Sequence, residues 1–145
     1  MPKTIQIIGS GFSSLAAACY LAKEGNKVTV FEKNNSLGGR ARQFTEKGFT
    51  FDMGPSWYWM PDVFESFFAD FGKKPSDYYS LEKLSPGYRV FFENNEHFDV
   101  SDDLNTIISD FEKIEKGSGK QLEKFISNAK SNYEIAIKDL VYRPG

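Results

Sequence analysis

Two glycines and one acid near the start of the chain have the types and spacing needed to bind a dinucleotide. Gly9 and Gly11 follow an apolar run, Ile5 to Ile8, and Glu32 ends a second apolar run about twenty residues later. The first glycine permits a tight turn after a strand, and the second lets a pyrophosphate approach the backbone closely. The acid can accept hydrogen bonds from a ribose diol. We therefore expect a phosphate-binding turn followed by a ribose acceptor.

The elements that must position these residues are a strand, a helix and a second strand. The apolar runs predict strands at 4–8 and 27–31, and the alanine-rich segment between them predicts a helix over 12–23. The amides that open this helix would face the phosphates, aided by the helix dipole. Ser14 replaces the third glycine of the usual motif, and its small side chain still permits close packing of helix on strand. The predicted fold class is α/β with a Rossmann-like unit.

Further strands and helices are predicted after this unit, so the fold contains inserted elements. Alternating character predicts hairpin strands at 42–45 and 49–51, and a phenylalanine stripe predicts a helix at 61–71. Strands are predicted at 81–84, 88–92 and 97–100. A helix is predicted from Asp102, capped by Ser101, and a long helix at about 120–140.

Composition excludes several classes of function. The net charge is −2, without the basic patch that nucleic-acid binding requires. His97 is the only histidine, and no ligand spacing surrounds it, so no metal site is predicted. Cys19, the only cysteine, is expected to be a small buried core residue. No apolar run reaches membrane-spanning length and no signal peptide precedes the first strand, which favours a cytoplasmic protein.

Two further clusters shift the expected cofactor from NAD towards FAD. Gly38, Gly39 and Arg40 follow Glu32 after a short loop, and the run Phe51–Pro55 comes next. Adjacent glycines let the backbone approach a ligand, and an adjacent arginine can neutralise pyrophosphate charge.

The segment from Glu32 to Gly72 resembles the N-terminal part of bacterial-type phytoene desaturases. These are carotenoid-forming flavoenzymes whose FAD-binding fold is shared with amine oxidases. The joint spacing of GSGFSS, FEK, GGRAR, GFTFDMGP and YRPG supports the resemblance. It implies FAD as cofactor, an apolar polyene as substrate and the introduction of carbon–carbon double bonds. It also implies that the full-length enzyme is peripheral to the membrane.

The resemblance also implies roles for individual residues, although it assigns no catalytic residue. The cofactor-binding set comprises Gly9, Gly11, Phe12, Ser13 and Ser14 at the pyrophosphate turn, Glu32 and Lys33 at the adenosine ribose, Gly39 and Arg40 at the diphosphate or ribityl region, and Gly54, Pro55 and Ser56 on the flavin side.

Members of this family are several times longer than the chain, which is therefore expected to be an N-terminal portion with an incomplete fold. Residues 1–80 would be part of the FAD-binding domain, and residues 81–145 would begin a substrate or helical domain. The run Trp57–Trp59 either walls the flavin or substrate or packs at a domain junction. Apolar surface is expected to lie uncovered at this run and on the last helix, at Phe125, Ala129, Tyr133, Ala136 and Leu140.

Two alternatives to the desaturase remain open. One is another flavoenzyme of the same fold, such as a polyene isomerase, a saturase or an amine oxidase. The other is a cofactor-binding fragment without catalysis of its own.

Overall fold

The structure, a computed structural model, describes residues 1–54, 57–139 and 141. The chain divides into two compact units, Met1–Tyr78 and Tyr79–Gly145. The first unit contains β1 (Thr4–Ile8), α1 (Phe12–Lys23), β2 (Lys27–Phe31), β3 (Gln43–Glu46), β4 (Phe49–Asp52) and α2 (Pro61–Asp70). The second contains β5 (Tyr88–Phe91), β6 (His97–Val100), α3 (Leu104–Ile114) and α4 (Ser118–Lys138).

The first three elements form the predicted strand–helix–strand unit. β1 and β2 are parallel neighbours, with Ile5 opposite Val28 and Ile7 opposite Val30. These four apolar side chains are half-buried while the residues between them are exposed, because successive side chains of a strand point to opposite faces. α1 connects the two strands and contacts both. The α/β fold class is confirmed, and both strands end at the edge where α1 begins.

The remainder of the first unit is a hairpin and a helix that packs on α1. β3 and β4 pair antiparallel, as predicted. The phenylalanine stripe lies on α2, where the Phe67 ring meets Tyr20 of α1 edge to face at 5.7 Å. The Tyr20 hydroxyl also donates to Asp70 Oδ2 at 2.6 Å. The spacing of the apolar residues on α2 therefore positions this helix against α1.

The second unit pairs β5 with β6 and packs α3 with α4. Two sequence predictions were wrong here. Residues 81–84 are not a strand, and α3 begins at Leu104 rather than Asp102. Asp103 caps α3 because its carboxylate accepts the Thr106 amide at 2.8 Å, whereas the Ser101 hydroxyl accepts from the Asp103 amide at 3.1 Å.

None of the hydrophobic residues in the described part of the chain is fully buried, so apolar side chains remain accessible throughout it. The solvent-accessible surface of the chain is 12296 Å². Two ordinary folded proteins, each of half its mass, would together expose about 9,100 Å². Cys19 is exposed, so its assignment to a buried core was wrong. None of the helices in the described ranges has both the length and the apolar character needed to cross a bilayer.

Candidate functional site

The turn between β1 and α1 has the backbone geometry of a phosphate-binding turn. Gly9 has φ +93°, a conformation that side chains disfavour, and its amide donates to the Phe31 carbonyl at 2.7 Å. Gly11 lies in ordinary extended backbone at φ −70°. A Cβ atom built on either glycine would meet nothing within 4 Å. The glycine at position 9 is thus needed for the turn, while the one at position 11 leaves open space before the helix.

The first turn of α1 faces this space without a capping side chain. Gly11 is the N-cap residue, and no acid lies in the first turn to offset the positive end of the helix dipole. Phe12 directs its ring onto Phe64, edge to face at 6.0 Å, and Ser13 is exposed. The backbone amides at the start of α1, rather than the Phe12 side chain, are therefore the groups that suit a phosphate. Ser14 is half-buried at the position of the missing third glycine.

The carboxylate of Glu32 accepts four hydrogen bonds. Oε2 accepts from the Ser10 amide at 2.9 Å and the Ser10 hydroxyl at 2.7 Å. Oε1 accepts from the Asn34 amide at 2.9 Å and from Asn34 Nδ2 at 2.7 Å. These bonds, led by the one from the Ser10 hydroxyl, lower the pKa of Glu32 from 4.5 to about 2. The side chain is therefore a negatively charged acceptor at neutral pH.

The loop with two adjacent glycines lies directly against the phosphate-binding turn. The Gly38 amide donates to the Ser10 carbonyl at 3.0 Å. A Cβ atom built on Gly39 would lie 3.1 Å from the Gly11 Cα atom, and Gly39 has φ +61°. Close approach of the two segments thus depends on glycine at position 39. The structure brings together the two glycine clusters that the sequence separates by almost thirty residues, Gly9 with Gly11 and Gly38 with Gly39.

Arg40 follows this contact and is exposed. Its guanidinium forms neither an ion pair nor a hydrogen bond with any described residue, whereas that of Arg42 donates to the Gly39 carbonyl at 3.2 Å. Lys33, next to Glu32, is likewise exposed. Positive charge is therefore available beside the turn for an anionic ligand.

Gly54 completes the described part of the site. It has φ +94°, and a Cβ atom there would lie 2.7 Å from the Arg40 carbonyl oxygen. The Met53 amide donates to the Arg42 carbonyl at 2.9 Å. The segment after β4 is thereby held against residues 38–42, which we call the arginine loop. The proposed flavin-side residues Pro55 and Ser56 lie outside the described residues, as does the segment 142–145 that contributed to the resemblance.

The remaining candidate residues are the aromatic run 57–59 and the single histidine, His97. Trp57 and Trp59 are 61% and 60% exposed, and their rings meet edge to face at 6.0 Å. Tyr58 packs on Phe64 with 4.8 Å between ring centroids. His97 is an exposed residue of β6, as the sequence predicts. No cluster of metal-ligating side chains occurs in the described part of the chain.

Sequence reasoning missed two residues of the site, Ser10 and Asn34. Both donate to Glu32 through side chain and backbone. The signal for Ser10 was its place directly after Gly9 at the end of β1, since parallel neighbouring strands bring their carboxyl ends to one edge. The signal for Asn34 was weaker, because an asparagine two residues after an acid is common in turns.

Comparisons with known proteins agree with this geometry. A family model described as an NAD(P)-binding Rossmann-like domain matches residues 7–71. The carotenoid 3,4-desaturase of Haloarcula japonica is 48% identical over 139 residues, which cover 96% of this chain and 28% of the relative. The 4,4'-diapophytoene desaturase (4,4'-diaponeurosporene-forming) of Staphylococcus aureus is 42% identical over the same shares.

A solved triple mutant of putrescine oxidase superposes with a TM-score of 0.47 and 23% identity, covering 77% of this chain and 27% of that one. The high identity to the two desaturases extends over nearly the whole chain, beyond the dinucleotide-binding unit. The chain is therefore similar to carotenoid desaturases over nearly its whole length, and it spans 28% of the length of these relatives.

Proposed function

We propose that the chain is the FAD-binding part of an oxidoreductase that introduces carbon–carbon double bonds into a carotenoid precursor, as in phytoene desaturation. The similarity to two carotenoid desaturases over 96% of the chain supports the reaction class. The observation that most supports the cofactor is the meeting of Gly9, Gly11, Gly39 and Glu32 at one edge of the β1–β2 sheet. That edge is where ligands bind in parallel α/β sheets.

The described residues fit the adenosine diphosphate half of FAD. The pyrophosphate would lie at the start of α1, where Gly11 leaves open space and the helix end is positive. The guanidinium of Arg40 would pair with phosphate oxygens, since no described carboxylate occupies it. Glu32 would accept hydrogen bonds from the adenosine ribose, with Lys33 beside it. Phe12, Ser13 and Ser14 would line the turn.

The charge of Glu32 also selects among dinucleotides. Its low pKa keeps the carboxylate negative at neutral pH, and a phosphate on the ribose 2′-oxygen would place a second negative charge beside it. A dinucleotide with a 2′-phosphate should therefore be rejected, while a ribose with free hydroxyls is accepted.

Bound FAD would supply the oxidation, taking up the two hydrogens that leave adjacent carbons of the polyene as the double bond forms. The residues of this chain would contribute binding and orientation. Gly54, together with Pro55 and Ser56, would bring backbone to the flavin side, because Gly54 already approaches the Arg40 carbonyl closely. We assign no catalytic residue within the chain.

The division of the chain suggests how these tasks are distributed. Residues 1–80 would belong to the FAD-binding domain and residues 81–145 to the start of a substrate or helical domain. The boundary between the two compact units at Tyr78 supports this division. An apolar polyene is held in a lipid phase, so the whole enzyme would work in the cytoplasm at the membrane surface, as a peripheral protein.

A chimera tests the proposal. The matched segment of the Haloarcula japonica relative is replaced by this chain, and flavin content and desaturated product are measured. We expect the chimera to retain FAD and to form product, while Glu32→Ala in the chimera loses flavin. A folded chimera that contains no flavin would contradict the proposed function.

A further inference from the structure

The two oxygens of Glu32 differ in their surroundings. Oε2 is held by Ser10, which is 0% exposed. Oε1 is held by Asn34, which is exposed. A carboxylate offers about four acceptor positions, and these four donors use all of them. A ribose hydroxyl can therefore bond to Glu32 only if one donor withdraws.

The cost of withdrawal differs between the two side chains. The Ser10 hydroxyl has Glu32 as its only partner among the described residues, so its withdrawal would leave a buried hydroxyl without an acceptor. The Asn34 side-chain amide bonds at an exposed position, where water can replace Glu32. The Asn34 side-chain amide is therefore the donor that a ribose hydroxyl would replace.

We propose that the two oxygens have separate roles. Ser10 fixes Oε2 and thereby orients the carboxylate, and Oε1 accepts an adenosine ribose hydroxyl at the position now held by the Asn34 side-chain amide. Ser10 is thus a positioning residue that acts through Glu32, and Asn34 is a replaceable stand-in for the ribose. This inference rests on the proposed function, since it requires a dinucleotide ribose at Glu32.

Calorimetric titration of the chain with ADP-ribose tests the inference, because this ligand has the adenosine diphosphate half of FAD without the flavin. Ser10→Ala should weaken binding roughly tenfold. Asn34→Ala should leave binding unchanged or make it tighter. The matched control is Ser131→Ala, since the Ser131 hydroxyl bonds within α4 to the Ser127 carbonyl. It should bind as the original chain does.

A second ligand separates positioning from general damage. An ADP-ribose analogue without the adenosine 2′- and 3′-hydroxyls should bind the original chain roughly tenfold more weakly than ADP-ribose. In Ser10→Ala this difference between the ligands should shrink, because the carboxylate is no longer oriented. A merely structural role for Ser10 would weaken both ligands equally and leave the difference unchanged.

The contradicting outcomes are distinct. Equal weakening of both ligands by Ser10→Ala, or a tenfold loss in Asn34→Ala, would overturn the inference while the dinucleotide function stands. Equal binding of both ligands by the original chain would do the same. If Ser10→Ala does not fold by circular dichroism, Asn34→Ala decides. Failure of the original chain to bind ADP-ribose would overturn the proposed function itself, and the inference with it.

Discussion

The Ser10 hydroxyl and the Glu32 carboxylate join the two ends of the dinucleotide motif, with 2.7 Å between Oγ and Oε2. Ser10 follows β1 and Glu32 follows β2, so the parallel pairing of these strands brings both residues to one edge. The Gly38 amide, in the loop after β2, donates to the Ser10 carbonyl. Three separate parts of the sequence therefore meet at Ser10, which explains why it is fully buried.

Replacement of Glu32 by alanine should weaken FAD binding roughly tenfold or more, because a charged acceptor for the ribose is lost. Quenching of flavin fluorescence during titration measures the affinity. Glu24→Ala is the matched control, since Glu24 is an exposed acid after α1. If Glu32→Ala binds FAD as tightly as this control, the ribose assignment is wrong.

The ionisation of Glu32 should contribute to the pH dependence of stability. Folding lowers its pKa from 4.5 to about 2, so the folded state favours the charged carboxylate. This stabilisation is complete above pH 4.5 and is lost as the pH falls through about 2. Glu32→Gln should therefore reduce the fall in the free energy of unfolding over this window, as measured by urea denaturation.

The control for that measurement is Glu123→Gln on α4, an exposed acid without a hydrogen-bond or ion-pair partner among the described residues. It should leave the pH dependence unchanged. Asp99, Asp102 and Asp103 also have lowered pKa values through their hydrogen bonds, and their contributions remain in both variants. Identical pH dependence in Glu32→Gln and the original chain would contradict the prediction.

Arg40→Lys should bind FAD more weakly than the original chain, because an ammonium cannot form the two parallel bonds of a guanidinium. The loss should be larger at low salt, where phosphate attraction is less screened. Titrations at two salt concentrations measure it. Arg89→Lys is the control, since Arg89 is paired with Asp99 at 2.7 Å in the second unit. Equal affinities of both variants at both salt concentrations would exclude the phosphate role.

Gly39→Ala should lower stability and FAD affinity by more than the cost of placing alanine at a positive φ. Gly39 and Gly48 both have positive φ, +61° and +84°, so alanine at either position costs about 1–2 kcal/mol. Only at Gly39 does the added Cβ atom also crowd the Gly11 Cα atom, at 3.1 Å. Gly39→Ala should therefore unfold at a lower urea concentration than Gly48→Ala and bind FAD more weakly. Equal stability and affinity would show that the contact is not needed.

Local pattern was sufficient for the elements that form the site. The bounds predicted for β1, α1 and β2 agree with the structure. The apolar runs mark the two strands, the alanine-rich segment between them marks the helix, and Gly25 marks where the helix ends. Gly25 has φ +84° directly after the helix, which is the conformation that ends α1. For the two glycine clusters, local pattern gives no contact, and only the resemblance implies that both serve the cofactor diphosphate.

Local pattern was insufficient where the outcome depends on a partner distant in the sequence. Residues 81–84 have apolar residues at both ends, but they pair with no strand. Ser10 and Asn34 act on Glu32 only once β1 and β2 are paired. Ser101 and Asp103 both suit a helix cap, and only the observed hydrogen bonds distinguish them. The sequence predicts Cys19 inside, but its side chain is exposed.

Exposed apolar residues on α4 should be replaceable with little loss of stability. Phe125 is 68% exposed, as the sequence predicts, so Phe125→Ser should change the free energy of unfolding by about 0.5 kcal/mol or less. It should also reduce binding of an apolar dye and self-association. Phe98→Ser is the comparison, since Phe98 is half-buried against Phe111 at 5.5 Å and should cost more. Equal destabilisation would contradict the described exposure.

The most direct test of the central claim is a nuclear magnetic resonance titration of the ¹⁵N-labelled chain with FAD. If the β1–α1 turn and the arginine loop hold the pyrophosphate, the amide signals of Gly9, Gly11, Ser13 and Gly39 should shift together and saturate at one affinity. The signals of β5 and β6 in the second unit should stay in place. Unchanged signals at these four residues, or shifts confined to β5 and β6, would contradict the account.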